Sequence, residues 1–150
     1  MKRMYPLVLD IVKHFQTNDP NEICEMMGIR VRRQHLLDGR GFYIKNPWLR
    51  IIVLDDRLSL NMADIVLAHE LGHIFLHHSG ERLYFYDTAN NPDYRRKEYE
   101  ANKFAFLLIA HTCLRNSPLM IDSIRNEKKL SFEELLALLA QFEKVQCYSR

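Results

Sequence analysis

The chain has 150 residues, 47% hydrophobic and 27% charged, the size and balance of one ordinary globular domain. Its net charge of +2 comes without a dominant polybasic segment, so charge gives no reason to expect nucleic acid as a partner. No stretch approaches the ~18 uninterrupted apolar residues of a membrane span, and Cys24, Cys113 and Cys147 are too scattered for a disulfide framework, which fits a reducing, cytoplasmic compartment.

The start, Met1-Lys2-Arg3-Met4-Tyr5-Pro6, leads into an apolar run broken by Asp10 and Lys13, a pattern unlike a signal peptide. Leu7, Val8, Ile11, Val12 and Phe15 recur at helical spacing and predict a first amphipathic helix over 5–15. Asp19-Pro20 fits a helix cap followed by proline at the first helical position, and Gly28 marks the end of that short helix. Three strand-like runs follow, Ile29-Arg30-Val31-Arg32-Arg33, Gly41-Phe42-Tyr43-Ile44-Lys45 and Arg50-Ile51-Ile52-Val53-Leu54-Asp55, punctuated by Asp38-Gly39 and Asn46-Pro47. Short connections predict a small, largely antiparallel sheet. The basic residues of this part, Arg30, Arg32, Arg33 and Arg40 with Lys2 and Arg3 before them, read as a solvated surface.

Ser59 is placed to cap a helix over 60–77 that Gly80 ends. Residues 79–92 are polar and aromatic and read as a loop. A further helix is expected over 94–113, a short helical segment from Ser117-Pro118, and a last amphipathic helix opened by the capping box Ser131-Phe132-Glu133-Glu134. Leu135, Leu136, Leu138 and Leu139 give that helix its apolar side. The expected fold is thus α+β, a small three-stranded sheet packed on helices in one domain over 1–150.

The third of these helices carries the chemistry. His69-Glu70-Leu71-Gly72-His73 reads H-E-x-x-H. On a helix the two histidines lie about 40° apart in rotation and roughly 6 Å apart in rise, the spacing with which two imidazoles reach one zinc. Glu70 flanks that point and is placed to take a proton from a water at the metal. The run from Ile65 to Leu76 is otherwise almost wholly apolar, and burying two histidines and a glutamate there is costly without partners, a cost that a metal resolves.

A catalytic zinc needs a third protein ligand and an open position. His77 sits two turns beyond His69, about 12 Å along the axis, too far to share a metal with it, so His77 and His78 read as structural or surface residues. The next helix offers Glu98 in line with Ala101, Asn102 and Ala105, while Glu100 points about 200° away. Glu98 is the favoured third ligand and Glu100 the fallback. Asn102, one turn from Glu98, is placed to accept a hydrogen bond from the outer nitrogen of a ligand histidine. Candidates for a donor to a developing oxyanion are Tyr84, Tyr86, Tyr94 and His111, without a choice among them.

These motifs in this order, the H-E-L-G-H run followed by Leu76-His77, then Glu98-x-Glu100-Ala101-Asn102-x-Phe104-Ala105-x-Leu107-Leu108, resemble the ImmA/IrrE family of gluzincin-type metallopeptidases. Gly28-Ile29-x-Val31, Gly41-Phe42-Tyr43 and Ile51-Ile52-Val53 extend the likeness over most of residues 20–112. The resemblance implies a minimal zincin-like fold and a zinc-dependent endopeptidase of a mobile element, prophage or stress response. Its substrate would be a helix-turn-helix repressor, without direct contact to nucleic acid or membrane. By position it implies His69, His73 and Glu98 as zinc ligands, Glu70 as catalytic base and Asn102 as the hydrogen-bonding partner of a ligand. The competing expectation is a metal-bearing module that sequesters a regulator without cutting it. Residues 80–93 are the candidate lid of a covered cleft. One departure is the absence of the proline that often follows the family's Leu-Leu pair. Ile109-Ala110 stands there, which leaves open whether the helix continues to His111 or beyond.

Overall fold

The computed structural model describes residues 4–76, 92–114, 122, 124 and 129–144. In chain order its elements are α1 (Met4–Phe15), α2 (Pro20–Met26), β1 (Arg30–Gln34), β2 (Gly41–Asn46) and β3 (Leu49–Asp55). These are followed by α3 (Leu60–Phe75), α4 (Pro92–Ile109), α5 (His111–Leu114) and α6 (Phe132–Lys144). The fold is α+β, as expected. The short segment expected from Ser117-Pro118, the loop and lid residues 80–91, and His77, His78, Tyr84 and Tyr86 lie outside the described residues.

Local chemistry sets several boundaries. The Asp19 carboxylate caps α2 by accepting from the Asn21 amide at 2.9 Å, with Pro20 next to it. Gly28, just past the helix, adopts φ +70°, a left-handed conformation that glycine takes without steric cost. Ser59 Oγ accepts from the Met62 amide at 3.1 Å and starts α3. Ser131 Oγ does the same for the Glu134 amide at 3.1 Å and starts α6, while its hydroxyl donates to the Glu134 carboxylate at 3.2 Å.

The sheet is mixed, in the order β1-β3-β2, where a largely antiparallel one was expected. β2 pairs antiparallel with β3 through the tight turn at Pro47-Trp48, but β1 pairs parallel with β3, Arg30 opposite Ile51 and Gln34 opposite Asp55. The reason is burial. β3 carries Ile52, Val53 and Leu54, all buried, and takes the central position. β1, Arg30-Val31-Arg32-Arg33-Gln34, is exposed throughout and stays on an edge, where charged side chains remain solvated.

Ile52 and Leu54 pack down onto the helical layer, whose centre is the pair α3 and α4. The two helices come close at Gly72: a Cβ there would sit 3.1 Å from Ala101 Cα and 3.2 Å from its carbonyl oxygen. α1 and α6 close the core from the sides through Val8, Ile11, Leu135 and Leu139. α4 ends at Ile109, and a new short helix begins at His111. The stop comes from across the fold: the Asn18 side-chain amide donates to the carbonyls of Leu108 at 3.1 Å and Ile109 at 3.3 Å. A distant asparagine here satisfies carbonyls that the last turn of any helix leaves without intrahelical partners.

Candidate metal centre

His69 and His73 lie on the buried stretch of α3, one turn apart, and Glu98 reaches them from α4. The Nε2 atoms of the two histidines are 3.1 Å apart. Glu98 Oε2 lies 3.0 Å from His69 Nε2, and Oε1 lies 3.1 Å from His73 Nε2. The two imidazoles are almost wholly enclosed, whereas the Glu98 side chain is 29% exposed, so the cluster opens to solvent on the α4 side.

Asn102 settles the orientation of His69. Its Oδ1 lies 2.7 Å from His69 Nδ1, and its amide donates to the Leu130 carbonyl at 2.8 Å. The Leu130 bond uses the amide group of Asn102 as donor, so its oxygen is the acceptor facing His69, and Nδ1 carries the proton. Nε2 of His69 is then a bare lone pair aimed at a carboxylate and at a second imidazole nitrogen. Groups of that polarity at 3.0–3.1 Å hold together only with a proton or a cation among them. Two imidazole nitrogens and a carboxylate are also the donor types zinc takes, and donors ~2.0–2.1 Å from a tetrahedral ion stand roughly 3.3 Å from one another. The residues present fit such an ion.

The electrostatics agree with a focused site. Burial works against charge on Glu98, but His69 and His73, when protonated toward it, outweigh burial by hydrogen bond and charge and hold its carboxyl well below the usual carboxylate range. Burial likewise works against a charged His69, and the hydrogen bond and charge of Glu98 raise its affinity for a proton nonetheless. Glu70, buried beside the histidines, is pushed up, chiefly by desolvation. A carboxylate with raised proton affinity is suited to accept and return a proton near neutral pH.

The structure brings together His69, His73, Glu98 and Asn102, with Glu70 enclosed on the same helix turn. It leaves out Glu100, which faces Arg96 at 3.6 Å along the outer side of α4. Tyr94 stands one turn before Glu98, and His111 is buried at the start of α5. Two neighbours had no sequence signal. The Leu130 carbonyl anchors Asn102, and the Phe132 ring lies edge-on to His69 with centroids 6.2 Å apart. The capping box at Ser131 marks where α6 begins, but nothing local says that this start lies against α3.

A three-stranded sheet on helices, with an H-E-x-x-H helix and a carboxylate from the next helix around one point, defines a candidate metal-binding α+β protein. The chain belongs to the peptidase M78 family, described as IrrE N-terminal-like domain, whose profile matches residues 24–140. The match begins inside α2 and ends inside α6. Among curated proteins the chain is similar to Metallopeptidase ImmA of Bacillus subtilis (strain 168), 28% identical over 114 residues. That alignment covers 75% of this chain and 66% of the relative, so the chain spans slightly less than two thirds of that protein's length.

Proposed function

We propose that this protein is a zinc-dependent endopeptidase that cleaves a helix-turn-helix repressor of a mobile element, prophage or stress response, in the cytoplasm. The observation that carries the reading is the meeting of His69 Nε2, His73 Nε2 and the Glu98 carboxylate at 3.0–3.1 Å on a buried H-E-x-x-H helix. Family membership and the name of the relative, a metallopeptidase, support it. Among the described residues no helix is long and apolar enough to cross a membrane.

In this reading His69, His73 and Glu98 hold the ion, and Asn102 keeps His69 in the tautomer whose Nε2 faces it. Zinc bound there supplies Lewis acidity toward a water and a substrate carbonyl. Glu70 is the general base: its carboxylate takes the proton from the attacking water and returns it to the leaving amine nitrogen. Enclosure of Glu70 keeps bulk water from competing for that proton.

The test combines three measurements on the purified protein. Metal analysis after growth in zinc-replete medium is expected to find one zinc per chain in the wild type and in Glu70→Gln. Incubation with a candidate helix-turn-helix repressor, first of all any encoded next to its gene, is expected to yield two fragments with the wild type and none with Glu70→Gln. A stoichiometric complex without fragments would favour a sequestering module, and absence of zinc would remove the metal centre altogether.

A further inference from the structure

Arg40 lies in the connection between β1 and β2, its side chain 50% exposed, and its guanidinium sits 4.1 Å above the Phe132 ring. Phe132 in turn lies against His69, ring centroids 6.2 Å apart. Together these contacts place the cation no more than about 10 Å from the His69 ring, the reach of roughly three residues of extended peptide. Held over a ring face, a guanidinium still has N–H donors to offer a further acceptor. Among the described residues the acidic partner of Arg40 is Glu133, 3.7 Å away and 77% exposed. An exposed pair at that separation is weak and gives way to a carboxylate that meets the guanidinium with two parallel hydrogen bonds. Among the described residues, the acids at the cluster itself are Glu70 and Glu98. Arg40 is a cation that the fold holds, through Phe132, within about 10 Å of His69.

We propose that Arg40 is a specificity-determining residue that selects peptides carrying an Asp or Glu side chain within about three residues of the cut bond. This rests on the peptidase reading above, and it names a class of substrate within it. The ring of Phe132 holds the guanidinium in place, and Glu133 is an internal competitor that a substrate carboxylate displaces. Two opposite perturbations follow. Arg40→Gln removes the acceptor's partner. Glu133→Gln removes the competitor and leaves Arg40 stacked.

The experiment uses a proteome-derived peptide mixture and the full-length zinc-loaded protein. Cleavage sites are read by mass spectrometry for wild type, Arg40→Gln, Arg40→Glu and Glu133→Gln. The same mixture is passed over immobilised Glu70→Gln protein with and without Arg40→Gln, and retained peptides are identified. The wild type is expected to enrich Asp and Glu near the cut. Arg40→Gln should lower that enrichment about fivefold, the scale of one partly exposed charge-assisted hydrogen bond. Arg40→Glu should shift the preference to Lys and Arg, and Glu133→Gln should sharpen the acidic preference, which a merely structural role for Arg40 does not produce. Cleavage without acidic enrichment, or enrichment that survives Arg40→Gln, overturns the assignment and leaves the peptidase reading standing. Acidic peptides retained through Arg40 without any cleavage uphold the assignment and refute the peptidase reading. Neither cleavage nor Arg40-dependent retention overturns both.

Discussion

Asn102→Leu tests whether the site is held from outside its ligands. Asn102 is 3% exposed and joins two groups, His69 Nδ1 at 2.7 Å and the Leu130 carbonyl at 2.8 Å, that have no other partner among the described residues. Leucine is close in size, so little cavity opens and the effect isolates the two hydrogen bonds. Each buried group left without its partner costs about 1–3 kcal/mol. The added apolar surface returns roughly 1.5–3 kcal/mol, so with two groups left unpaired the net loss of stability in the metal-stripped protein is about 0.5–3 kcal/mol, measured by urea unfolding followed by circular dichroism. Zinc affinity, measured against a competing chelator, is expected to fall roughly 10–100-fold because the His69 ring is freed to rotate and to change tautomer. Asn102→Asp separates the two bonds. It keeps an acceptor for His69 and sets an oxygen against Leu130, so it should cost stability while sparing zinc affinity. Stability of Asn102→Leu within ~0.5 kcal/mol of wild type, together with unchanged zinc affinity, would refute the idea that this bridge positions the imidazole.

Gly72→Ala should separate packing from propensity. Alanine favours the helix by about 0.8–1.0 kcal/mol. Its methyl group, however, would stand 3.1 Å from Ala101 Cα and Phe104 Cβ, and overpacking of that kind costs about 1–3 kcal/mol. A loss of up to roughly 2 kcal/mol is expected, with zinc affinity falling further because α4 carries Glu98 away as it yields; a more stable variant with intact zinc affinity contradicts the tight crossing. Burial, assisted by the charge of Asp19, pushes the Cys24 thiol from an ordinary 9.0 up to about 12. The folded state keeps a proton that the unfolded chain releases. The resulting stabilisation is therefore complete below pH about 9 and is lost as pH rises toward about 12. Urea midpoints between pH 8 and 11 should fall less steeply for Cys24→Ala than for wild type, and equal slopes would count against a buried neutral thiol.

Much of the framework was readable because it is written within single turns of chain. Asp19-Pro20 and Gly28 bracket α2, Ser59 opens α3, and Ser131 opens α6, each through a hydrogen bond or backbone conformation spanning two to four residues. The pairing of His69 with His73 and the choice of Glu98 over Glu100 follow from helical phase, which is equally local. The direction of β1 was not readable: short connections suggested antiparallel neighbours, and only burial of β3 between its two partners makes β1 run parallel to it. The end of α4 escaped the sequence too, because the asparagine that stops it stands 90 residues earlier.

Residue types and their spacing thus determined which side chains of this protein are candidates to hold a cation and on which helices they ride. Tertiary structure alone decided that α4 crosses α3 at Gly72 closely enough for Glu98 to meet both imidazoles, that Leu130 comes round to brace Asn102, and that Arg40 settles on Phe132 beside His69. The division is physical. Periodicity and capping act over a few residues, whereas these meetings depend on how whole apolar faces bury one another, a property no short stretch of chain possesses.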